Sequence, residues 1–129
     1  MTFGEKIGAE TAREHRTNDP YLLCDLLGID VVESFFKCNR MKGIIVHDDW
    51  GTGICLSIQM TMTQKRFVLA HELGHYFLHP QRVGRFWIQE NTLFPLGKIE
   101  KEADDFAYAF LGACVVRPKC PLTYAMVRA

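Results

Sequence analysis

Apolar residues group along this chain in two ways, as short β-branched runs in its first half and at helical spacing in its second. Three runs, Ile29 to Phe36, Gly43 to His47 and Gly53 to Ile58, read as strands, separated by polar or glycine-containing turns around Asn39-Arg40 and Asp48-Asp49-Trp50-Gly51. They predict a small antiparallel meander with helices packed against it. Ahead of the strands, residues 2–16 carry a weak, polar helical pattern around Phe3 and Ile7. Asp19-Pro20 then opens a short helix that ends at Gly28.

The strongest helical pattern comes after the strands. Thr61 and Gln64 stand in capping-box spacing, so a hydroxyl and a side-chain amide satisfy free backbone donors of the first turn. Pro80 cannot continue a helix and disfavours helical geometry at His79, so this helix spans about Met62 to Leu78. A second helix runs from Lys98 to about Leu111, with Ile99, Ala103, Phe106, Ala107, Phe110 and Leu111 on one inward face. The last strand enters the first of these helices through Gln59 to Thr63; as a sheet edge it would hold an extended peptide by strand addition. Residues 80–98, with Arg85, Phe86, Trp87 and Phe94, form the longest irregular stretch and read equally as a lid or as a source of core anchors.

The first strong helix carries the chemistry, His71-Glu72-Leu73-Gly74-His75. This is the HExxH pattern. At about 100° per residue, positions four apart share a helical face, so both imidazoles can reach one tetrahedral metal ion. Glu72, about a quarter-turn away, can reach a water beside the ion without ligating it, which is where a general base is needed. Phe67-Val68-Leu69-Ala70 and Tyr76-Phe77-Leu78 flank the motif, and two imidazoles with a carboxylate in such apolar surroundings need partners.

A catalytic metal site needs a third protein ligand and an open position. The helical projection puts Glu100 and Asp104 on the edge of the inward face of the downstream helix and Glu102 on the opposite, solvated side. Glu100 is the better ligand candidate. Asp104, one turn later, is placed to accept a hydrogen bond from the outer N–H of a ligating histidine. The metzincin alternative needs Gly and His where Leu78 and Gln81 stand, so His79 is read as a helix-end residue facing free carbonyls. His15 and His47 read as solvated residues.

These segments resemble the ImmA/IrrE-type metallopeptidases. The resemblance rests on Arg66 to His75 and Leu78-His79-Pro80, on Asn91-Thr92-Leu93-Phe94, and on Glu100-Lys101-Glu102-Ala103-Asp104-Asp105-Phe106-Ala107. It extends weakly upstream through Leu26-Leu27-Gly28-Ile29, Lys42-Gly43 and Ile54-Cys55-Leu56-Ser57, covering most of residues 20–112. It implies an α+β, zincin-like domain with His71, His75 and Glu100 as zinc ligands and Glu72 as catalytic base. It also implies a substrate class, the helix-turn-helix repressors of phages and mobile elements. After Leu111 the chain reads Gly112-Ala113-Cys114 where the family has a leucine-rich end and a proline, which leaves the C-terminal segment unassigned. Some relatives carry an added helix-turn-helix or C-terminal domain, and none is expected here.

With 129 residues and 48% hydrophobic composition, the chain can build one core, so residues 1–129 are expected to form a single domain. A formal net charge of zero without a basic run argues against direct nucleic-acid or anionic-membrane binding and favours a protein substrate. The five cysteines are odd in number and lack a C-x-x-C pair, so reduced thiols are expected. No signal core or membrane-length run is visible, which leads to a cytoplasmic protein.

The leading reading is a zinc-dependent endopeptidase of the two-histidine, one-glutamate (gluzincin-like) type. Tyr76, Tyr108, His79 and Arg85 are candidates to stabilise the oxyanion. The runner-up is a metal-containing regulatory module that engages a repressor without cutting it, with a non-peptidase metallohydrolase third. A structural metal site usually fills all four positions with protein ligands, whereas this one offers three.

Overall fold

The computed structural model describes residues 1–37, 41–80 and 96–114. Among the described residues, four helices and a three-stranded sheet follow in the order α1 (Phe3–His15), α2 (Pro20–Leu27), β1 (Asp30–Ser34), β2 (Gly43–Asp48), β3 (Gly51–Ser57), α3 (Met62–Leu78) and α4 (Leu96–Leu111). The fold is α+β, as expected. The Asn39-Arg40 turn, the lid-or-anchor reading of Arg85, Phe86, Trp87 and Phe94, Cys38, Cys120 and the C-terminal tail lie outside the described residues.

Local chemistry sets the helix ends where the sequence placed them. Thr61 Oγ1 accepts from the Gln64 amide at 3.2 Å, and Gln64 Oε1 accepts from the Thr61 amide at 2.9 Å. Asp19 caps α2 by accepting from the Tyr21 N–H at 3.0 Å, Pro20 occupies the first turn, and Gly28 closes the helix at φ 73°.

The sheet departs from the antiparallel meander. Its order is β1-β3-β2; β2 and β3 form the expected antiparallel pair, but β1 pairs with β3 in parallel, Val32 opposite Cys55. Burial accounts for the order, because β3 contributes the fully buried Ile54 and Leu56 whereas β1 is mostly exposed. The most buried strand takes the middle. β3 is therefore no sheet edge, and the condition for its pairing with a peptide is not met; among the described residues the outer strands are β1 and β2.

The core joins Ile45, Ile54 and Leu56 of the sheet to Leu23, Leu69, Leu73, Phe106 and Phe110 of the helices. Phe77, Phe106 and Phe110 stack in series, with centroids 5.7 and 5.9 Å apart, and bind α3 to α4. Phe106 and Phe110 are completely buried and Phe77 partly so; each fully buried phenyl ring contributes about 1.5–3 kcal/mol. Ile99, Ala103, Phe106, Ala107 and Phe110 are all buried, so the face projected for the second helix is the one that packs.

α4 also packs along α1, the weak, polar helical pattern of residues 2–16. Its buried residues are Gly4, Gly8, Ala9, Thr11 and Ala12, while Phe3 is exposed. Small size, not hydrophobicity, is what this interface uses. A Cβ on Gly8 would run into the Phe106 carbonyl oxygen, and one on Gly4 into that of Glu102, so the two helices meet backbone to backbone. Thr2 Oγ1 adds a hydrogen bond to Asp105 at 2.9 Å.

Gly8→Ala should therefore destabilise the protein by about 1–3 kcal/mol, the usual result of overpacking. Helix propensity alone predicts the opposite sign, a gain of about 1 kcal/mol. Urea unfolding of the parent and the variant decides between them, and a more stable Gly8→Ala protein would contradict the close approach of α1 to α4.

Candidate metal centre

α3 and α4 cross in opposite directions. The ring of Phe67 meets that of Tyr108 at 4.9 Å, His71 meets Asp104, and His75 meets Glu100, so ascending positions on one helix face descending positions on the other. Gly74, inside the motif, makes the crossing close. A Cβ there would lie 3.1 Å from the Cα and carbonyl oxygen of Ala103 and 3.2 Å from Phe106 Cβ, tighter than packed side chains accept.

The crossing brings together three of the residues singled out in the sequence. His71 Nε2 and His75 Nε2 are 3.2 Å apart; Glu100 Oε2 lies 2.8 Å from the first and Glu100 Oε1 3.3 Å from the second. Among the described residues, these are the side chains whose ligand atoms converge on one point, all within 4.8 Å. The donors fit a first-row metal. Ligand bonds of 2.0–2.1 Å in a tetrahedron separate the ligand atoms by about 3.3 Å, close to the spacings found here.

The floor of this cluster is closed and its rim is open. The side chains of His71 and His75 are 14% and 6% exposed, whereas that of Glu100 is 47% exposed. Glu72 is buried beside them. Burial pushes its carboxyl above the usual range, with the His75 and His71 imidazoles pulling the other way. Burial also opposes charge on His71, but hydrogen bonding to Glu100, the nearby Glu72 charge and the Asp104 contact outweigh it and hold the imidazole up to about 9. For Glu100, burial is likewise outweighed by hydrogen bonds from both histidines, and its carboxyl stays far below the ordinary range. Such a set of anionic and imidazole groups attracts positive charge, whether protons or a metal ion.

The Nδ1 atoms of both histidines are engaged. His71 Nδ1 lies 2.7 Å from Asp104 Oδ1, the partner expected from the helical projection. His75 Nδ1 lies 3.0 Å from His79 Nδ1, and His79 Nε2 lies 3.4 Å from Glu102 Oε1. Two readings are thereby corrected. The His79 ring does not face free helix carbonyls, although its backbone N–H bonds the His75 carbonyl at 2.8 Å; it is buried against His75. Glu102 is not on a fully solvated side, since its side chain is 30% exposed and meets His79. The visible clue was spacing, because 71, 75 and 79 form one i, i+4 series. The helical projection of α4 missed Glu102 because it treats one helix at a time and cannot place the end of α3 beside it.

The other candidates fall elsewhere. His15 Nδ1 meets the Thr11 carbonyl at 2.8 Å, and His47 Nδ1 the Thr52 hydroxyl at 2.6 Å. Tyr108 packs on Phe67, one turn beyond Asp104 and away from Glu100, and Tyr76 packs on Phe77. Arg85 lies outside the described residues. Cys24, Cys55 and Cys114 are free thiols; burial, aided by Asp25 and Asp19, pushes Cys24 up to about 12, which leaves it unreactive.

Residues 24–111 match the family model of the IrrE N-terminal-like domain, peptidase family M78. The chain is 31% identical over 99 residues to an uncharacterized immunity region protein of Bacillus phage phi105, covering 77% of this chain and 61% of that one. It is 32% identical over 95 residues to the metallopeptidase ImmA of Bacillus subtilis (strain 168), covering 74% and 54%. The matches thus span less than two thirds of the length of either relative. No solved structure matches the chain.

Metal affinity should rank the acidic residues. If Glu100 is a ligand, Glu100→Ala should weaken binding most, whereas Asp104→Ala, which would loosen the orientation of His71, should cost about 10- to 100-fold. Competition with a chromogenic chelator measures both. Parent-like affinity in Glu100→Ala would remove it from the ligand set.

Proposed function

The chain belongs to the IrrE N-terminal-like family of metallopeptidases, peptidase family M78, and from that premise we propose that it is a zinc-dependent endopeptidase. The convergence of His71, His75 and Glu100 beside a buried Glu72 carries this reading. His71 and His75 would hold the ion through Nε2 and Glu100 through its carboxylate, in a gluzincin-like set. When bound, zinc supplies the positive charge that acidifies a water and polarises the scissile carbonyl. Glu72 then has one task, to take a proton from the attacking water and pass it to the leaving nitrogen as the C–N bond breaks.

An extended substrate is favoured by the sheet. β2 pairs only with β3 among the described residues, and its Gly43 end packs against Val68, one turn before His71. The Ser57 N–H bonds the Lys42 carbonyl at 2.8 Å. Alternation from that pair turns the backbone groups of Gly43, Ile45 and His47 toward the outer edge. A peptide added there would lie beside the metal helix, so the strand-addition role passes from β3 to β2.

The substrate class in this reading is a helix-turn-helix repressor of phage or mobile-element type, cut in an extended or locally unfolded segment. The family supports this, together with the likeness to a phage immunity region protein. No described helix is long and apolar enough to cross a membrane, and the proposed place of action is the cytoplasm, where such regulators meet DNA.

Glu72→Gln should keep its zinc and lose about 10²- to 10⁴-fold in turnover, the usual contribution of a positioned acid–base group. Elemental analysis and mass spectrometry of the repressor digest check both halves. Parent-like cleavage in Glu72→Gln would exclude the residue from catalysis. A repressor that is bound by the zinc-loaded parent and left intact would replace the peptidase with a regulatory binding module.

A further inference from the structure

The geometry points to His79 and Glu102 as positioning residues for the metal centre, joined to His75 in a chain of hydrogen bonds whose proton placement a metal on His75 Nε2 would fix. The inference rests on the proposed zinc reading and extends it to residues outside the ligand set. His75 Nε2 points to His71 Nε2 and Glu100 at 3.2 and 3.3 Å, so it is the nitrogen that would meet a metal. A ligating neutral imidazole carries its remaining proton on the other nitrogen, here Nδ1. That N–H faces His79 Nδ1 at 3.0 Å, which must therefore accept. The His79 proton then sits on Nε2 and is donated to Glu102 Oε1 across 3.4 Å, a long hydrogen bond.

The local backbone is built for this contact. The His79 N–H continues the helical ladder to His75, while its φ of −132° and ψ of 52° leave helical geometry. Pro80 disfavours the helical region for the residue before it, and so turns the chain where His79 sets its ring beside that of His75. The two rings are buried with centroids 5.2 Å apart. Glu102 comes from α4, the same helix that supplies Glu100 and Asp104. One helix thus contributes the proposed third ligand and, directly or through His79, the orientation of both histidine ligands.

The two histidines are consequently supported in unequal ways. His71 has a carboxylate directly on Nδ1, whereas His75 has a neutral ring between it and a carboxylate. Both arrangements fix tautomer and ring orientation, and a direct carboxylate raises ligand basicity more.

Nitrogen-15 NMR of the zinc-loaded parent reads the proton placement, with His79 expected to be bare at Nδ1 and protonated at Nε2. Zinc affinity by chelator competition reads the energetic side. His79→Leu should lose about 10- to 100-fold, and His79→Asn, whose side-chain oxygen can still accept from His75, should recover most of that loss. Glu102→Ala should lose less than His79→Leu and add nothing to it in the double variant. The melting temperature of the metal-free variants separates positioning from folding, since a purely structural His79 would lower it equally in His79→Leu and His79→Asn without changing zinc affinity. A His79 proton on Nδ1, or equal zinc affinity in His79→Leu and the parent, would overturn the inference while leaving the peptidase reading intact. A parent that takes up no zinc would overturn both, and the NMR measurement on the parent decides even if His79→Leu fails to fold.

Discussion

The close antiparallel crossing of α3 and α4 is the constraint on which the rest of this structure depends. Neither helix carries a complete site. His71 and His75 meet Glu100 only because Gly74 lets the backbone of α4 approach at Ala103, and because the Phe77–Phe106–Phe110 stack holds that approach in register. A crossing wider by one methyl group would move Glu100 away from two nitrogens it now reaches at 2.8 and 3.3 Å. On its other side, α4 is pressed by the small residues of α1, so the ligand-bearing helix is gripped along two faces.

Packing of this kind holds polar groups where electrostatics alone would not. Two imidazoles and two carboxylates lie within one largely buried cluster, and burial works against the charge on His71, Glu72 and Glu100 alike. Hydrogen bonding resolves part of that conflict, through Asp104 on His71 and His79 on His75. A cation would resolve the remainder, because it would meet the nitrogen and oxygen atoms that otherwise face one another. Glu100 keeps an exposed side, which in the proposed function is where water and peptide would approach, beside the extended backbone of the β2 edge.

Much of this was legible because it is written in local pattern. The capping pair Thr61–Gln64, the stop at Pro80, the inward face of α4 and the placement of Glu100 and Asp104 toward α3 all follow from helical period and chain chemistry within a few residues. What escaped depends on how distant elements meet. Parallel pairing of β1 with β3 depends on which strand the core selects for its centre, and strand-like runs alone do not record that. The packing of α1 on α4 is not written in hydrophobic pattern, because the contact is made through Gly4 and Gly8. Glu102 was misplaced because its surroundings are set by the end of the neighbouring helix, not by its angle on its own.

Crystals of the zinc-loaded protein, with diffraction recorded on both sides of the zinc absorption edge, test the account most directly. One anomalous peak is expected, bounded by His71 Nε2, His75 Nε2 and the Glu100 carboxylate, with no fourth protein ligand. A peak away from these three residues, or a zinc ion at His71 and His75 with Glu100 turned aside, would contradict it.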